Sequence, residues 1–193
     1  MSGYDSRWLY RRPVASALVG VLALGILSLL PLRESAARPT PGPDAVSGLA
    51  SVVDGDTLDI DTRRIRLEGI DAPEAAQTCG RRVGGTWKCG GAAADALASL
   101  IARRRVSCED RGTDKYGRML GVCFVDGVDI NARMVRDGFA WAFVKYSRSY
   151  VREEAEARTA RVGIWQGEAE PAWLFRERHW AGAEQTAPQG CAI

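Results

Sequence analysis

The chain has 193 residues, 26 Lys and Arg against 24 Asp and Glu, a formal net charge of +2 and a single histidine. That length accommodates one domain with a real core plus extensions. A lone histidine excludes mechanisms that need two, and any Ser-His-Asp or Cys-His site would rest on His179, in a polar C-terminal segment.

The charge is unevenly placed. Arg7, Arg11, Arg12, Arg33 and Arg38 precede residue 44 against only Asp5 and Glu34, so residues 44–193 carry no basic excess. Composition therefore does not mark the folded part as a nonspecific nucleic-acid binder. Support for such binding has to come from local arginines and a bound cation.

Residues 14–32, from Val14 to Leu32, contain no charge. As a helix they would cover about 28 Å, close to the hydrocarbon thickness of a bilayer. Arg7, Arg11 and Arg12 precede them, which keeps the N-terminus cytoplasmic and sends the rest across. Ser35-Ala36-Ala37 supplies small residues for a signal peptidase. Residues 1–37 thus read as a signal peptide or a membrane anchor, and both remain open. The expected location is outside the cytoplasm, either anchored in the inner membrane facing the periplasm or exterior, or secreted after cleavage. Residues 38–47, with Pro39, Pro41 and Pro43, read as a linker.

Cysteine usage agrees with export. Cys79 and Cys89 flank a Gly-rich loop, and Cys108 and Cys123 bracket Asp114-Lys115-Tyr116-Gly117. If those four residues form the turn of a hairpin, Cys108 and Cys123 face each other within disulfide range. The expected pairs are Cys79–Cys89 and Cys108–Cys123, with Cys191 free or intermolecular. No Cys-x-x-Cys spacing suggests zinc.

In chain order, Leu49 to Asp54, Asp56 to Asp61 and Arg63 to Ile70 read as short strands. Asp54-Gly55 is a strong hairpin signal. Ala75 to Gly91 reads as a loop, and Ala92 to Arg104 as a helix with a stripe of Ala93, Leu97, Leu100 and Ile101. Arg105 to Asp110 and Met119 to Val125 follow as strands. Asp129 can cap a helix over 130–137 that Gly138 stops. Ser149 can cap another over 150–162, with Val151, Ala155 and Val162 as its stripe. A shorter helix is expected over 171–180. Pattern alone supports an α+β class.

The chemistry concentrates in two runs, Val52-Val53-Asp54-Gly55-Asp56-Thr57-Leu58 and Ile65-Arg66-Leu67-Glu68-Gly69-Ile70-Asp71-Ala72-Pro73-Glu74. Each ends an apolar strand in acid, so Asp56, Asp71 and Glu74 can meet at one end of a small sheet with Arg66 beside them. Clustered carboxylates repel unless a cation lies between them. All-oxygen ligands suit a hard cation, Ca²⁺ or Mg²⁺, and an adjacent arginine suits a phosphate. Taken singly, each of these residues has an ordinary role as a turn or surface-pair residue.

Together with Thr113-Asp114-Lys115-Tyr116-Gly117-Arg118, these motifs resemble the staphylococcal nuclease family from about Leu49 to Trp165. The resemblance implies a five-stranded OB-fold β-barrel with three α-helices over residues 48–166, preceded here by the N-terminal hydrophobic helix and followed by a tail over 167–193. It implies Ca²⁺, with Mg²⁺ as alternative, held by Asp56, Asp71 and the carbonyl of Ala72, where the family more often has threonine. Glu74 is then the general base, Arg66 and Arg118 grip the phosphate, and Tyr116 touches the nucleotide, unless it merely packs the hairpin. A second family tyrosine falls near Val144 to Tyr146. The implied activity is hydrolysis of DNA and RNA with little sequence preference by a monomer. The competing readings are a catalytically silent OB-type module that binds nucleic acid or protein, and a structural envelope protein. A silent module has no need of all three acids and both arginines.

Overall fold

A computed structural model describes residues 45–186, with side chains through residue 179. The apolar stretch 14–32 and Cys191 therefore lie outside the described residues. Among those described, no helix is long and apolar enough to cross a membrane.

β1 (Val46–Asp54), β2 (Thr57–Ile60) and β3 (Arg63–Leu67) form an antiparallel meander, followed by the short β4 (Ile70–Asp71). The 75–91 region, expected as loop, contains a two-rung ribbon of β5 (Cys79–Gly80) and β6 (Thr86–Trp87). α1 runs Cys89–Ile101, starting three residues before the expected Ala92. It stops early because Ala102 and Arg103 take positive φ, 44° and 59°. β7 (Arg105–Thr113) and β8 (Met119–Val125) make the second hairpin, and β9 (Val128–Asp129) leads into α2 (Ile130–Arg136). Asp129 caps α2 as expected, accepting from the Ala132 N–H at 2.9 Å. β10 (Trp141–Ala142), α3 (Val151–Ala160), a 3-10 turn (Gly163–Gln166) and α4 (Ala172–Thr186) complete the chain.

Two pairings close the sheet. β1 pairs with β7 through Val46↔Cys108 to Leu49↔Arg105, and β3 lies parallel to β8 through Ile65↔Met119 to Leu67↔Gly121. The five strands β1, β2, β3, β8 and β7 thus form a closed α+β barrel of the OB type, accompanied among the described residues by the three expected helices α1, α2 and α3 and by α4 in the C-terminal segment. β1 begins earlier than the expected Leu49 because its first residues supply the β7 pairing. Inside are Leu58, Ile60, Ile65, Leu67, Val106, Cys108, Cys123 and Val125, all nearly inaccessible, and Leu97 and Ile101 of α1 cover one end. That alternation is the period-2 pattern of a sheet with one buried face. Cys108 and Cys123 sit opposite each other in the β7–β8 register and are joined by a disulfide inside the barrel.

α3 departs from expectation. Ser149 does not cap it; its hydroxyl pairs with that of Ser147 at 2.9 Å. The predicted stripe is also wrong: Val151, Ala155 and Val162 are exposed, and Glu153 and Ala157 are the buried positions. Glu153 is tolerated inside because Arg136 of α2 donates to it at 2.9 Å.

The C-terminal segment, expected as a tail, builds a second apolar cluster. Ala172 and Trp173 pack with Trp141, Ile164, Trp87 and the Cys79–Cys89 disulfide. Trp173 stacks on Phe143 at 5.7 Å and meets Trp141 edge-on at 6.2 Å. α4 begins right after Pro171 and extends beyond the predicted 171–180 span.

Candidate active site

The first carboxylate is placed by the β1–β2 turn. Asp54 Oδ1 accepts from the Asp56 N–H at 3.0 Å, the local bond that makes Asp a turn residue. Gly55 is required there by close approach, since a Cβ would come within 2.7 Å of the Cβ atoms of both Ala72 and Ala93. The turn is thereby pressed onto α1 and onto the segment that carries the next acid. Asp56 Oδ2 accepts from the Ala72 N–H at 2.8 Å, which ties the two acidic runs together.

The second carboxylate follows a break. Gly69 takes φ +75° and separates β3 from β4, so the chain leaves the barrel and pairs Asp71 with Trp141 of β10. Asp71 is fully buried and Asp56 nearly so. Arg66 lies between them, donating through Nη1 to Asp56 Oδ1 and through Nη2 to Asp71 Oδ1, the latter at 2.6 Å. Burial opposes the guanidinium's charge, but the two carboxylates outweigh it and raise its pKa. Burial pushes the Asp71 carboxyl up, partly offset by the hydrogen bond from Arg176. Asp54 is pushed up to about 6 by burial and by the charge of Asp56.

Glu74 sits on the loop after Pro73 with its side chain about 40% exposed. The buried amide of Gln77 holds that loop: its Oε1 accepts from the Glu74 N–H at 3.1 Å, and its Nε2 donates to the Glu170 carbonyl at 2.6 Å. The Gly80 N–H donates to the Glu168 carbonyl at 2.6 Å. The loop carrying Glu74 is thus laced to the segment that leads into α4.

From α4, Arg176 reaches back over the acids. Its Nη1 is 2.7 Å from Glu74 Oε1 and 3.2 Å from Asp71 Oδ1, and its Nη2 is 2.9 Å from Asp71 Oδ2. Sequence reasoning missed this residue. The available signal was the aromatic density of Trp173, Phe175 and Trp180, which is unusual for a solvated tail. It missed Gln77 as well, and nothing in the local pattern distinguishes that glutamine.

The remaining expected residues lie apart from the acids. Arg118 pairs with Asp114, Nη2 to Oδ2 at 2.7 Å, and contacts none of the three carboxylates, because Asp114 opens the same tight turn and is the nearer partner. It directly precedes β8, whose Met119 faces Ile65 and whose Leu120 faces Arg66. Strand alternation therefore puts Arg118 on the same outer face as Arg66, one step along the neighbouring strand. Tyr116 is 63% exposed at the turn, with the Arg118 guanidinium 5.4 Å from its ring centroid. Val144 and Tyr146 are exposed just beyond β10.

The donor set on Asp56, Asp71, Glu74 and the Ala72 carbonyl is all oxygen, which fits a hard divalent cation such as Ca²⁺ or Mg²⁺. Among the described residues, no three acidic, histidine or cysteine side chains close around one point. An ion held here would take two carboxylates and a carbonyl, with water completing its shell.

The profile of the staphylococcal nuclease homologue family matches residues 64–167. The chain belongs to the staphylococcal nuclease family. It is 36% identical over 154 residues to the succinoglycan biosynthesis protein ExoI of Rhizobium meliloti (strain 1021), covering 78% of each chain. It is 38% identical over 135 residues to an uncharacterized endonuclease of Escherichia coli O157:H7, covering 66% of this chain and 82% of that one. It is 35% identical over 143 residues to a micrococcal nuclease of Shigella flexneri, covering 65% and 76%. The family match ends at residue 167, before α4 and Arg176.

Proposed function

We propose that this protein is a metal-dependent nuclease that hydrolyses phosphodiester bonds of DNA and RNA with little sequence preference. The observation that carries the reading is the series of ion pairs at one end of a staphylococcal nuclease-type barrel, in which Arg66 bridges Asp56 to Asp71 and Arg176 bridges Asp71 to Glu74. The names of the relatives, an endonuclease and a micrococcal nuclease, support the same chemistry.

Asp56, Asp71 and the Ala72 carbonyl would hold the ion, Ca²⁺ in the first instance and Mg²⁺ as the alternative. Bound there, the ion supplies electrostatic stabilisation of the charge that builds on the phosphate. Glu74, the most exposed of the three acids, takes the proton of the attacking water; with no histidine nearby, a carboxylate is the available base. Arg66 presents a planar fork to the phosphate from the strand beside the acids, and Arg118 supports it from the residue before β8 once a phosphate competes with Asp114. Tyr116, exposed at the hairpin turn, offers a ring to the nucleotide.

The apolar residues 14–32 and the two disulfides support export, with the domain either anchored outside the cytoplasm or released. The deciding experiment is incubation of residues 44–193 with plasmid DNA and with RNA in the presence of Ca²⁺, Mg²⁺ or a chelator. Cleavage of both substrates that the chelator abolishes is expected. Intact substrates under every condition, with Ca²⁺ bound or not, would return the chain to the class of silent binding modules.

A further inference from the structure

We propose that Arg176 is a positioning residue of the active site, a tethered counter-cation that holds Asp71 and Glu74 together and that a divalent metal must displace from Asp71. The proposal rests on the metal reading above and extends it to a helix outside the family match, which ends at residue 167.

The geometry of Asp71 is the starting point. A carboxylate has about four lone-pair sites. Asp71 has three occupied by guanidinium N–H groups: Arg66 on Oδ1 at 2.6 Å, and Arg176 on Oδ1 at 3.2 Å and Oδ2 at 2.9 Å. Its side chain is fully buried, so water does not compete for the rest. A metal ion that takes an oxygen of Asp71 therefore meets Arg176 at the same atoms. Two cations that share a carboxylate at this range repel strongly in a water-poor site.

Arg176 is not a surface arginine that happens to swing inward. It projects from the buried side of α4, one turn after Ala172 and Trp173, which are seated in the second apolar cluster. The segment before it is fastened by the Gln77–Glu170 and Gly80–Glu168 hydrogen bonds. Gly80 and Gly167 lie so close that a Cβ on Gly167 would come within 2.6 Å of the Gly80 carbonyl oxygen. The backbone at Arg176 is thus held, and movement is left to the side chain. That side chain already touches Glu74 at 2.7 Å. Once a metal takes Asp71, the guanidinium keeps Glu74 and continues to orient the carboxylate that receives the water proton. The same residue raises the metal concentration at which the site loads and fixes the base when it has loaded.

The test measures calcium affinity by titration calorimetry, and kcat and KM on DNA, for the wild type, Arg176→Gln, Arg176→Ala and Arg176→Lys. Arg176→Gln retains hydrogen-bond donors without charge, so it keeps the fold if the alanine variant does not. We expect Arg176→Gln and Arg176→Ala to bind calcium about tenfold or more tightly than wild type, with kcat lowered at saturating calcium and KM little changed. Arg176→Lys should stay near the wild-type affinity, a dependence on charge that a purely structural role would not produce. Unchanged or weaker calcium binding by Arg176→Gln, with the wild type binding, overturns the role of Arg176 and leaves the metal reading intact. Failure of every protein to bind calcium, magnesium or manganese overturns the metal reading and this proposal together.

Discussion

Gly90 of α1 lies against the backbone of Glu74 so closely that a Cβ on Gly90 would stand 1.8 Å from the Glu74 carbonyl oxygen. Helix propensity alone favours alanine over glycine by up to about 1 kcal/mol. At Gly90 the sign should reverse, because the added methyl has only backbone to push against. Gly90→Ala is expected to lose roughly 1–3 kcal/mol, typical of overpacking, and to displace the Glu74 loop enough to cut turnover. Gly91, its neighbour in the same helix, faces open space. Gly91→Ala should be neutral or stabilising by up to about 1 kcal/mol, with activity retained. Urea denaturation and DNA cleavage for the two variants read out the contrast, and equal behaviour would remove Gly90 as the wedge behind Glu74.

Glu74→Gln keeps the size and hydrogen-bonding shape of the side chain and removes the base. Turnover should fall by roughly 10²–10⁴. Calcium-dependent nucleotide binding should persist, since Asp56 and Asp71 are untouched. Near-wild-type kcat in this variant would mean that another group takes the proton.

Arg66 and Arg118 should differ in what their loss does to the fold. Arg66→Ala takes from Asp56 its guanidinium partner and leaves Asp71 with Arg176 alone; with side chains 5% and 0% exposed, the loss should cost about 3–5 kcal/mol as well as activity. Arg118 pairs with Asp114 near the surface, so Arg118→Ala should cost no more than about 1 kcal/mol and act on turnover. Thermal melts beside kinetic assays separate the two. A harmless Arg66→Ala in the melt would show that water reaches these acids.

The disulfides should also divide by consequence. Replacing Cys108 and Cys123 with serine should lower stability by roughly 2–4 kcal/mol and leave the acidic cluster in place. The Cys79–Cys89 bridge spans the ribbon next to Gln77 and the start of α1. Its loss should loosen the Glu74 loop, so activity should fall at temperatures where the barrel is still folded. Comparing the temperature of half-inactivation with the melting temperature of each double variant tests this.

Asp129 gives a pH-dependent term. Burial raises its carboxyl above the usual range, against the hydrogen bonds from Ala132 and Tyr150. The folded state then binds this proton more tightly than the unfolded chain, so the contribution to stability falls as pH rises through that window, from about 3.9 upward. Asparagine caps helices as well as aspartate does. Asp129→Asn should therefore keep α2 and flatten that slope in urea midpoints measured against pH. An identical slope in both proteins would assign it to other groups.

The barrel was legible because its strands alternate. Leu58 and Ile60, Ile65 and Leu67, and Cys123 and Val125 each face inward at period two, and β8 runs over the residues expected of it. The cysteine pairing came out as expected although the turn is one residue longer than the four expected: Thr113 faces Met119, and an irregularity between Asp110 and Thr113 restores the register that sets Cys108 opposite Cys123. α3 was misread because its buried side carries Glu153, which apolar patterning counts as surface; its partner Arg136 lies on another helix. Arg66 and the three acids stood out as a motif within twenty residues. Arg176 did not, since it reaches Asp71 and Glu74 across 105 and 102 residues, and no local pattern announces such a contact.

That separation orders events during synthesis. Asp71 leaves the ribosome 105 residues ahead of Arg176. At about 5–20 residues per second, the interval is roughly 5–20 s. All five barrel strands are complete by Val125, and the last guanidinium to reach the acids arrives with α4. A premature stop between residues 126 and 175 would release a product with every barrel strand present and Asp71 still waiting for one of its two arginines.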